Sequence, residues 1–430
     1  MKYLKGLMTS ITIALSVSAT MAQLDITGQY RVKPEFRNGY QQPLLASELP
    51  SFHVSQRARL GANYTHKLFK FKLSLQDVRT WGNTSNIAID DNGYLSVYEA
   101  NVSLFFGKKW SVKMGRQPIS YDNQRIFGEL DWAMQGRRHD AALVKFRDNQ
   151  WKVDVGLTYN NEKPTYSHPT YTLNNYKTFQ YVWAEKKWTD FKASLLFLNN
   201  GMEYIYTVDS TEYGAIYYSQ TFGTHLEYKK EKVELTGFGY YQTGFDQSKR
   251  GIIAYNASLE AAYKPSDKLK LSLGGEILSG TSQDPSADEY NRSFSPLYGT
   301  NHKFNGYMDY FYVGNHEKNV GLNDVYLKGK YKMNKFTFGL ANHLFFANAA
   351  VINEDSFNPE PVQMDPFLGY EIDFTVKYQF ADEVTIEAGY SHLFDTSTMR
   401  EVKGTNNQTT SNWAYLMVVV KPFKNYQPFK

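Results

Sequence analysis

The 430-residue chain contains no cysteine, which excludes disulfides, thiolate metal sites and a thiol nucleophile. Beyond residue 22 no uninterrupted apolar run approaches the ~20 residues of a transmembrane helix. An excess of one charge is missing as well, since 47 Lys and Arg face 43 Asp and Glu. That balance singles out no strongly charged partner and argues against nucleic acid. Enzyme motifs are absent too. The nine His are scattered without an H-E-x-x-H, no Ser sits in a G-x-S-x-G setting, and there is no Gly-rich phosphate loop. No cofactor, no metal and no enzymatic activity are therefore expected. Residues 90–93 and 284–289 are acidic, but they lack a calcium ligand set at EF-hand spacing and read as polar turns. What the chain does have is aromatic side chains, 16% of it with 34 Tyr, at a mean hydropathy of −0.52. Strands that alternate in character look polar on average in this way.

The N-terminus reads as a secretory signal. Lys2 and Lys5 precede an apolar stretch from about Ile11 to Ala19, and Thr20-Met21-Ala22 supplies small residues for cleavage. Gln23, rather than Cys, follows the expected cut, so a lipoprotein is not indicated. Residues 1–22 are set aside, and the remaining 23–430 are read as one domain. Without Lys2 and Lys5 the formal charge falls from +4 to +2.

Alternation runs along much of the chain. Trp151, Val153, Val155, Leu157 and Tyr159 share one face, opposite Lys152, Asp154, Gly156 and Thr158. Tyr370, Ile372, Phe374, Val376, Tyr378 and Phe380 likewise oppose Glu371, Asp373, Thr375, Lys377 and Gln379. Short polar turns flanked by aromatics recur at 65–67, 107–109, 147–150, 189–190, 229–232, 264–268, 332–335 and 381–383. Eight such hairpins, with a first and a last strand, make eighteen strands. The other connections are long: 39–50, 82–93, 121–138, 161–176, 200–216, 244–251, 280–321, 347–368 and 395–411. Strict alternation of tight and long connections, an even strand number and an aromatic girdle predict an all-β fold. It is a transmembrane antiparallel barrel with short periplasmic turns and long extracellular loops, in the outer membrane of a Gram-negative bacterium.

A barrel of that size is wide enough for an aqueous channel. In the second strand Ala58, Leu60, Ala62 and Tyr64 form the apolar face, which turns His53, Ser55, Arg57, Arg59 and Asn63 inward. Alternation also turns Lys70, Lys72, Glu99, Lys113, Lys145, Lys152, Glu227, Glu260, Glu276, Lys328, Lys330, Asp373, Lys377 and Glu387 inward. Both signs occur, as in an ion-paired wall. The densest stretch runs from 115 to 140, where Arg116, Arg125, Arg137 and Arg138 mix with Asp122, Glu129, Asp131, His139 and Asp140. Arginine forks suit an anion-guiding constriction, and they suit equally a loop pinned to the wall by carboxylates. The 280–321 loop, with Phe304, Tyr307, Tyr310, Phe311 and Tyr312, is too aromatic for a solvated loop and is expected to plug or cover the mouth.

Four segments, "QDVRTWG" (76–82), "GRQPISYDNQR" (115–125), "GELDWAMQGRRHDA" (128–141) and "PLYGTNHKFNGYMDYF" (296–311), resemble the alginate-export family of outer-membrane barrels, in the version found in Bacteroidota. The resemblance implies a monomeric 18-strand barrel whose arginine-lined pore passes an anionic polysaccharide or oligosaccharide. It adds Arg79 to Arg116, Arg125, Arg137 and Arg138 as pore arginines, beside Arg57 and Arg59 from the strand pattern. It also implies contact with outer-membrane lipid, lipopolysaccharide and the barrel-assembly machinery. The chain ends in Lys430 rather than an aromatic, which leaves Phe423 or Phe429 for the assembly role. A general diffusion or nutrient-uptake porin is the competing channel reading. A non-conducting adhesin or receptor that presents its loops is the other.

Overall fold

An unpaired backbone N–H or C=O in hydrocarbon costs several kcal/mol, so a sheet that spans a bilayer must leave no edge. In the computed structural model this requirement is met. β1 (Gln23–Asn38) pairs with β2 (Ser51–Thr65) on one side and with β20 (Ser411–Val420) on the other. The structure describes residues 23–87, 94–164, 166, 171, 175–284, 289–311, 319–353, 362–405 and 410–423. The proposed signal peptide, residues 90–93 and 285–288, Tyr312, Phe429 and Lys430 lie outside them.

The strands form one closed, antiparallel, 18-stranded sheet. After β2 come β3 (Phe69–Thr80), β4 (Leu95–Phe106), β5 (Trp110–Gln117), β6 (His139–Arg147), β7 (Trp151–Tyr159) and β8 (Thr178–Lys187). Next are β9 (Phe191–Val208), β10 (Thr211–Lys230), β11 (Val233–Phe245), β12 (Gly251–Ser266) and β13 (Leu269–Leu278). β14 (Leu322–Met333) and β15 (Phe336–Phe346) lead to a separate two-residue pair, β16 (Ile352–Asn353) with β17 (Val362–Gln363). β18 (Phe367–Ala381) and β19 (Val384–Asp395) complete the wall, and a short helix, α1 (Ser397–Val402), precedes β20.

The predicted faces hold. Val155, Leu157, Leu60, Phe374 and Tyr390 are exposed on the outer face, while Asp154, Arg57, Asp373 and Ser391 are buried on the inner one. Aromatic pairs collect near the tight turns on the outer face, such as Trp110 with Phe146 at 4.9 Å and Trp188 with Phe191 at 5.4 Å. Phe423 rests against Gly28 of β1, just past the end of the last strand.

One connection departs from expectation. Residues 200–216 are not a long loop, because β9 and β10 stay paired out to Val208 opposite Thr211. A two-residue turn closes them, with Asp209 (φ 48°) and Ser210 (φ 64°) both left-handed, as a twisted hairpin turn requires. Asn199, just before this segment, bonds sideways to Gln180 and Gln220 at 2.8 Å each.

A second correction concerns Thr158. The alternation turns it inward, where contact with luminal water would let it tolerate an arginine, but it is packed, and its hydroxyl accepts from the Phe179 N–H at 2.9 Å. Thr375, which borders open luminal space, is the better inward test position. Phe374→Arg places a cation on the outer face and is expected to cost about 2–4 kcal/mol at mid-depth. Its neighbour Thr375→Arg is expected to assemble normally. The fraction of folded, heat-modifiable barrel on gels after insertion into vesicles distinguishes them. Equal yields would contradict the assignment of faces.

Candidate functional site

Eighteen strands enclose more space than the wall side chains can fill. Yet the inner face of β8 to β11 carries Phe179, Tyr181, Trp183, Leu196, Leu198, Phe238 and Tyr240, all buried. Apolar groups on a lumen wall need a dry partner, and two connections fold inward to supply it. The first, 118–138 between β5 and β6, contributes Ile119, Ile126 and Phe127. The second, between β13 and β14, contributes Phe294, Met308, Tyr310 and Phe311. Phe127 stacks on Tyr298 at 5.6 Å, and Tyr121 stacks on Trp183 at 4.5 Å. The 280–321 connection, in its described part, thus packs inside the barrel as its aromatic content predicted.

Hydrogen bonds join the two inward segments. Gly128 N donates to Tyr298 O at 2.8 Å, Thr300 N to Gln124 O at 2.9 Å, and the Arg137 guanidinium to Gly299 O at 2.8 Å. Gly299 cannot be larger, because a Cβ there would meet the Arg125 carbonyl oxygen at 2.3 Å.

Ion pairs fix the segments to the wall. Asp131 accepts from three arginines of β1 and β2, Arg57 at 2.9 Å, Arg31 at 3.0 Å and Arg59 at 3.5 Å. Burial opposes ionisation of Asp131, but the Arg57, Arg31 and Arg59 guanidiniums outweigh it and hold the carboxyl below the ordinary aspartate range. Arg125 is fully buried against Glu276 at 2.8 Å and bonds Asn305 of the second segment at 2.9 Å.

Arg57 and Arg59 are therefore brought together at Asp131, while Arg125 sits apart at Glu276, and all three act as clamps. Arg116 and Arg79 do not join them. Arg116 lies opposite Ala100 and Asp140, on the outer side of the wall, and binds Asp140 in a fork at 2.7 and 2.9 Å. Arg79 lies opposite Gln56, on the face shared with Ala58 and Leu60, and closes on Asp77, although it also borders the long-loop cavity. Arg137 lines the lumen. Arg138 is half-buried and, among the described residues, meets no carboxylate within ion-pair distance.

The inward segments leave two cavities. One, of about 620 Å³ on the long-loop side, is lined by Lys33, Glu35, Arg37, Arg137, Asn301 and Asp309, among others. The other, of about 780 Å³ on the short-turn side, is lined by Lys270, Lys303, Lys328, Lys330, Lys377, Asp373 and Glu387 together with neutral residues. Trp132 and His302 line both cavities. Their rings stack at 4.4 Å with planes 11° apart and form the partition. His302 is held by Asp309 at 2.8 Å, Trp132 meets Tyr415 edge-on at 5.0 Å, and the Lys33 ammonium sits 4.5 Å from the Trp132 ring.

The short-turn cavity carries five lysines against two carboxylates, of which Asp373 is buried. Lys270 and Lys330 face each other directly across β13 and β14, a like-charge pair that costs stability. Among the described residues, Lys328, Lys330 and Lys377 pair with no carboxylate within 4.0 Å. Burial, with the Lys328 ammonium behind it, pushes Lys303 below the usual lysine range. The alternation already turned Lys328, Lys330 and Lys377 inward; the signal overlooked was the absence of a carboxylate opposite Lys330, which a strand register would have exposed.

No family model and no curated protein sequence matches the chain. These comparisons lend no support to the alginate-export resemblance, which rests on its four motifs. Solved structures do match. Acinetobacter baumannii OccAB1 superposes with a TM-score of 0.59 at 11% identity, covering 93% of this chain and 96% of that one. OccAB4 of the same organism gives 0.58 at 10%, covering 93% and 98%. Pseudomonas aeruginosa OccK9 (OpdG) gives 0.58 at 11%, covering 92% and 98%. The likeness is one of fold, that of an outer-membrane barrel.

The Asp131 clamp has a measurable signature. Its carboxyl is held low, so its contribution is complete above about pH 4, the unfolded value, and fades as pH falls through the native one. Asp131 is 41% exposed, and screening limits the effect of Asp131→Asn to about 1–2 kcal/mol. Asp131→Asn is expected to lower the heat resistance of the folded barrel at neutral pH and to flatten part of its decline below pH ~4. Thermal midpoints across pH 3–7 check this.

Proposed function

We propose that the chain is an outer-membrane, porin-like channel for small anionic solutes, with the short-turn cavity as its selective section. The observation that carries this reading is that five lysines and two carboxylates line the cavity beneath the partition, three of the lysines with no carboxylate within 4.0 Å among the described residues. In a narrow aqueous space walled by protein, charges act through a lower effective dielectric than in bulk, and a cation cluster raises the local anion concentration. The arginines of 116–138 support a different role: Arg116 and Arg125 are neutralised by Asp140 and Glu276, and Arg125 and Arg137 hold the inward segments in place.

The partition bears on solute size. Two vestibules divided by the Trp132–His302 stack suit a sugar acid or a short acidic oligosaccharide better than a polymer threaded through a continuous bore. Export of an anionic polysaccharide, the expectation from the motif resemblance, requires that stack to part.

Reversal potentials in a salt gradient test selectivity. The wild-type channel is expected to prefer anions, with the preference blunted near 1 M salt, where the screening length falls to ~3 Å. Combined Lys328→Gln, Lys330→Gln and Lys377→Gln is expected to abolish it. Combined Gln replacement of Arg116, Arg125, Arg137 and Arg138 is expected to lower folding yield while the reversal potential moves little. A cation-preferring wild-type channel would sink the reading. The partition has its own readout: Trp132→Ala with His302→Ala joins the vestibules and is expected to raise single-channel conductance severalfold. Unchanged conductance in a folded variant would place the constriction elsewhere.

A further inference from the structure

Beyond the wall, β9 and β10 continue as a hairpin paired to no other strand. β8 accompanies β9 only to Thr178 opposite Gly201, and β11 accompanies β10 only to Ser219 opposite Gly244. Residues 202–208 and 211–218 therefore pair only with each other, and at ~3.3 Å per residue they project roughly 20 Å on the long-loop side. By the alternation that buries Leu196 and Leu198, the side of this hairpin that continues the luminal face carries Tyr204 and Tyr206 from β9, and Tyr213 and Tyr217 from β10. Of the three hairpin carboxylates, Glu203 and Glu212 lie on the reverse side and Asp209 sits in the turn at the tip.

The rings form a group. Tyr204 and Tyr206 lie 6.2 Å apart with near-parallel planes, Tyr206 and Tyr213 5.7 Å apart, and Tyr204 meets Tyr217 edge-on at 5.6 Å. Lys249, from the β11–β12 connection, places its ammonium 4.6 Å from the Tyr204 ring and 5.8 Å from the Tyr206 and Tyr217 rings. Among the described residues it makes no ion pair. Tyr206 and Tyr213 remain 37% and 46% exposed, so aromatic surface is left over after the rings have supported one another.

We propose that this tyrosine face, with Lys249, is an external binding platform for an acidic saccharide. An aromatic ring presents a negative face, which attracts the weakly positive C–H groups on the flat side of a pyranose, and the phenol hydroxyls suit its hydroxyl rim. The ammonium supplies attraction for a carboxylate or sulfate, and among the described residues the strands of the hairpin place no carboxylate on that side to oppose it. The position above the lumen means a captured sugar is held at the channel mouth. The assignment deepens the anionic-channel reading and rests on it for the solute's charge.

The test is calorimetric titration of the full-length protein in detergent with trigalacturonate and, separately, with maltotriose. The wild type is expected to bind the acidic trimer at least tenfold more tightly than the neutral one. Tyr206→Ser with Tyr213→Ser is expected to weaken binding of the acidic trimer tenfold or more. Tyr206→Phe with Tyr213→Phe keeps the rings, guards against a melted hairpin, and is expected to stay within about threefold of wild type. Lys249→Gln is expected to erase the preference for the acidic trimer. Wild-type protein that binds neither trimer, or a folded Ser variant that binds as wild type does, overturns the platform. Reversal potentials in plain potassium chloride, without sugar, report on the channel reading separately, because the hairpin variants leave the luminal lysines untouched.

Discussion

Backbone hydrogen bonding in a medium without water is the constraint from which the rest of this structure descends. It requires a sheet with no edge, and the chain meets it by closing β1 onto β20 after eighteen strands. Closure at that size creates a lumen too wide for wall side chains to fill. The wall nonetheless turns Phe179, Tyr181, Trp183 and Leu198 inward, and these are stable only against another dry surface. The inward segments provide it, and their own apolar residues, Phe127, Phe294 and Met308, are buried in return. The partitioned lumen is thus a consequence of barrel width combined with an apolar inner wall.

Electrostatics divides the lumen in two. On the side of β1 and β2, cations are answered by carboxylates: Asp131 serves three arginines, and Glu35 serves Lys33 and Arg37. Such pairs locate a loop but leave little field for a solute. On the side of β13, β14 and β18, Lys328, Lys330 and Lys377 face the cavity with no carboxylate within 4.0 Å among the described residues, Glu387 standing across the sheet from Lys377 at longer range. The difference follows from side-chain chemistry. Arginine's planar fork is pre-organised for a carboxylate and suits a buried clamp, whereas lysine's compact, strongly hydrated ammonium suits a wet wall.

Much of the fold was legible because a strand is a local object. The period of two assigns each side chain to one of two faces, and the assignments made for Asp154, Arg57, Lys330 and Asp373 hold along the whole wall. The tight turns were legible for the same reason. The 200–216 connection was misread as a long loop because what makes it strand is the pairing across the hairpin, Tyr204 opposite Ala215 and Tyr206 opposite Tyr213. Thr158 was placed on the correct face, but its burial depended on Phe179, twenty-one residues away.

The sequence by itself determined the barrel, its strand number, the orientation of its hairpins and the inward turn of an aromatic loop, since each is written in alternation, composition and spacing. Only the tertiary structure decided which cations are free. Arg79 and Arg116 share a motif neighbourhood with Arg125 and Arg137, yet the strand registers at Gln56 and Ala100 send the first two to the outer side. Whether a charge is neutralised depends on which residue stands across the sheet or the lumen. Trp132 and His302 are 170 residues apart along the chain, and no pattern in sequence pairs them; closure of the sheet and the folding of two connections into its lumen bring their rings to 4.4 Å.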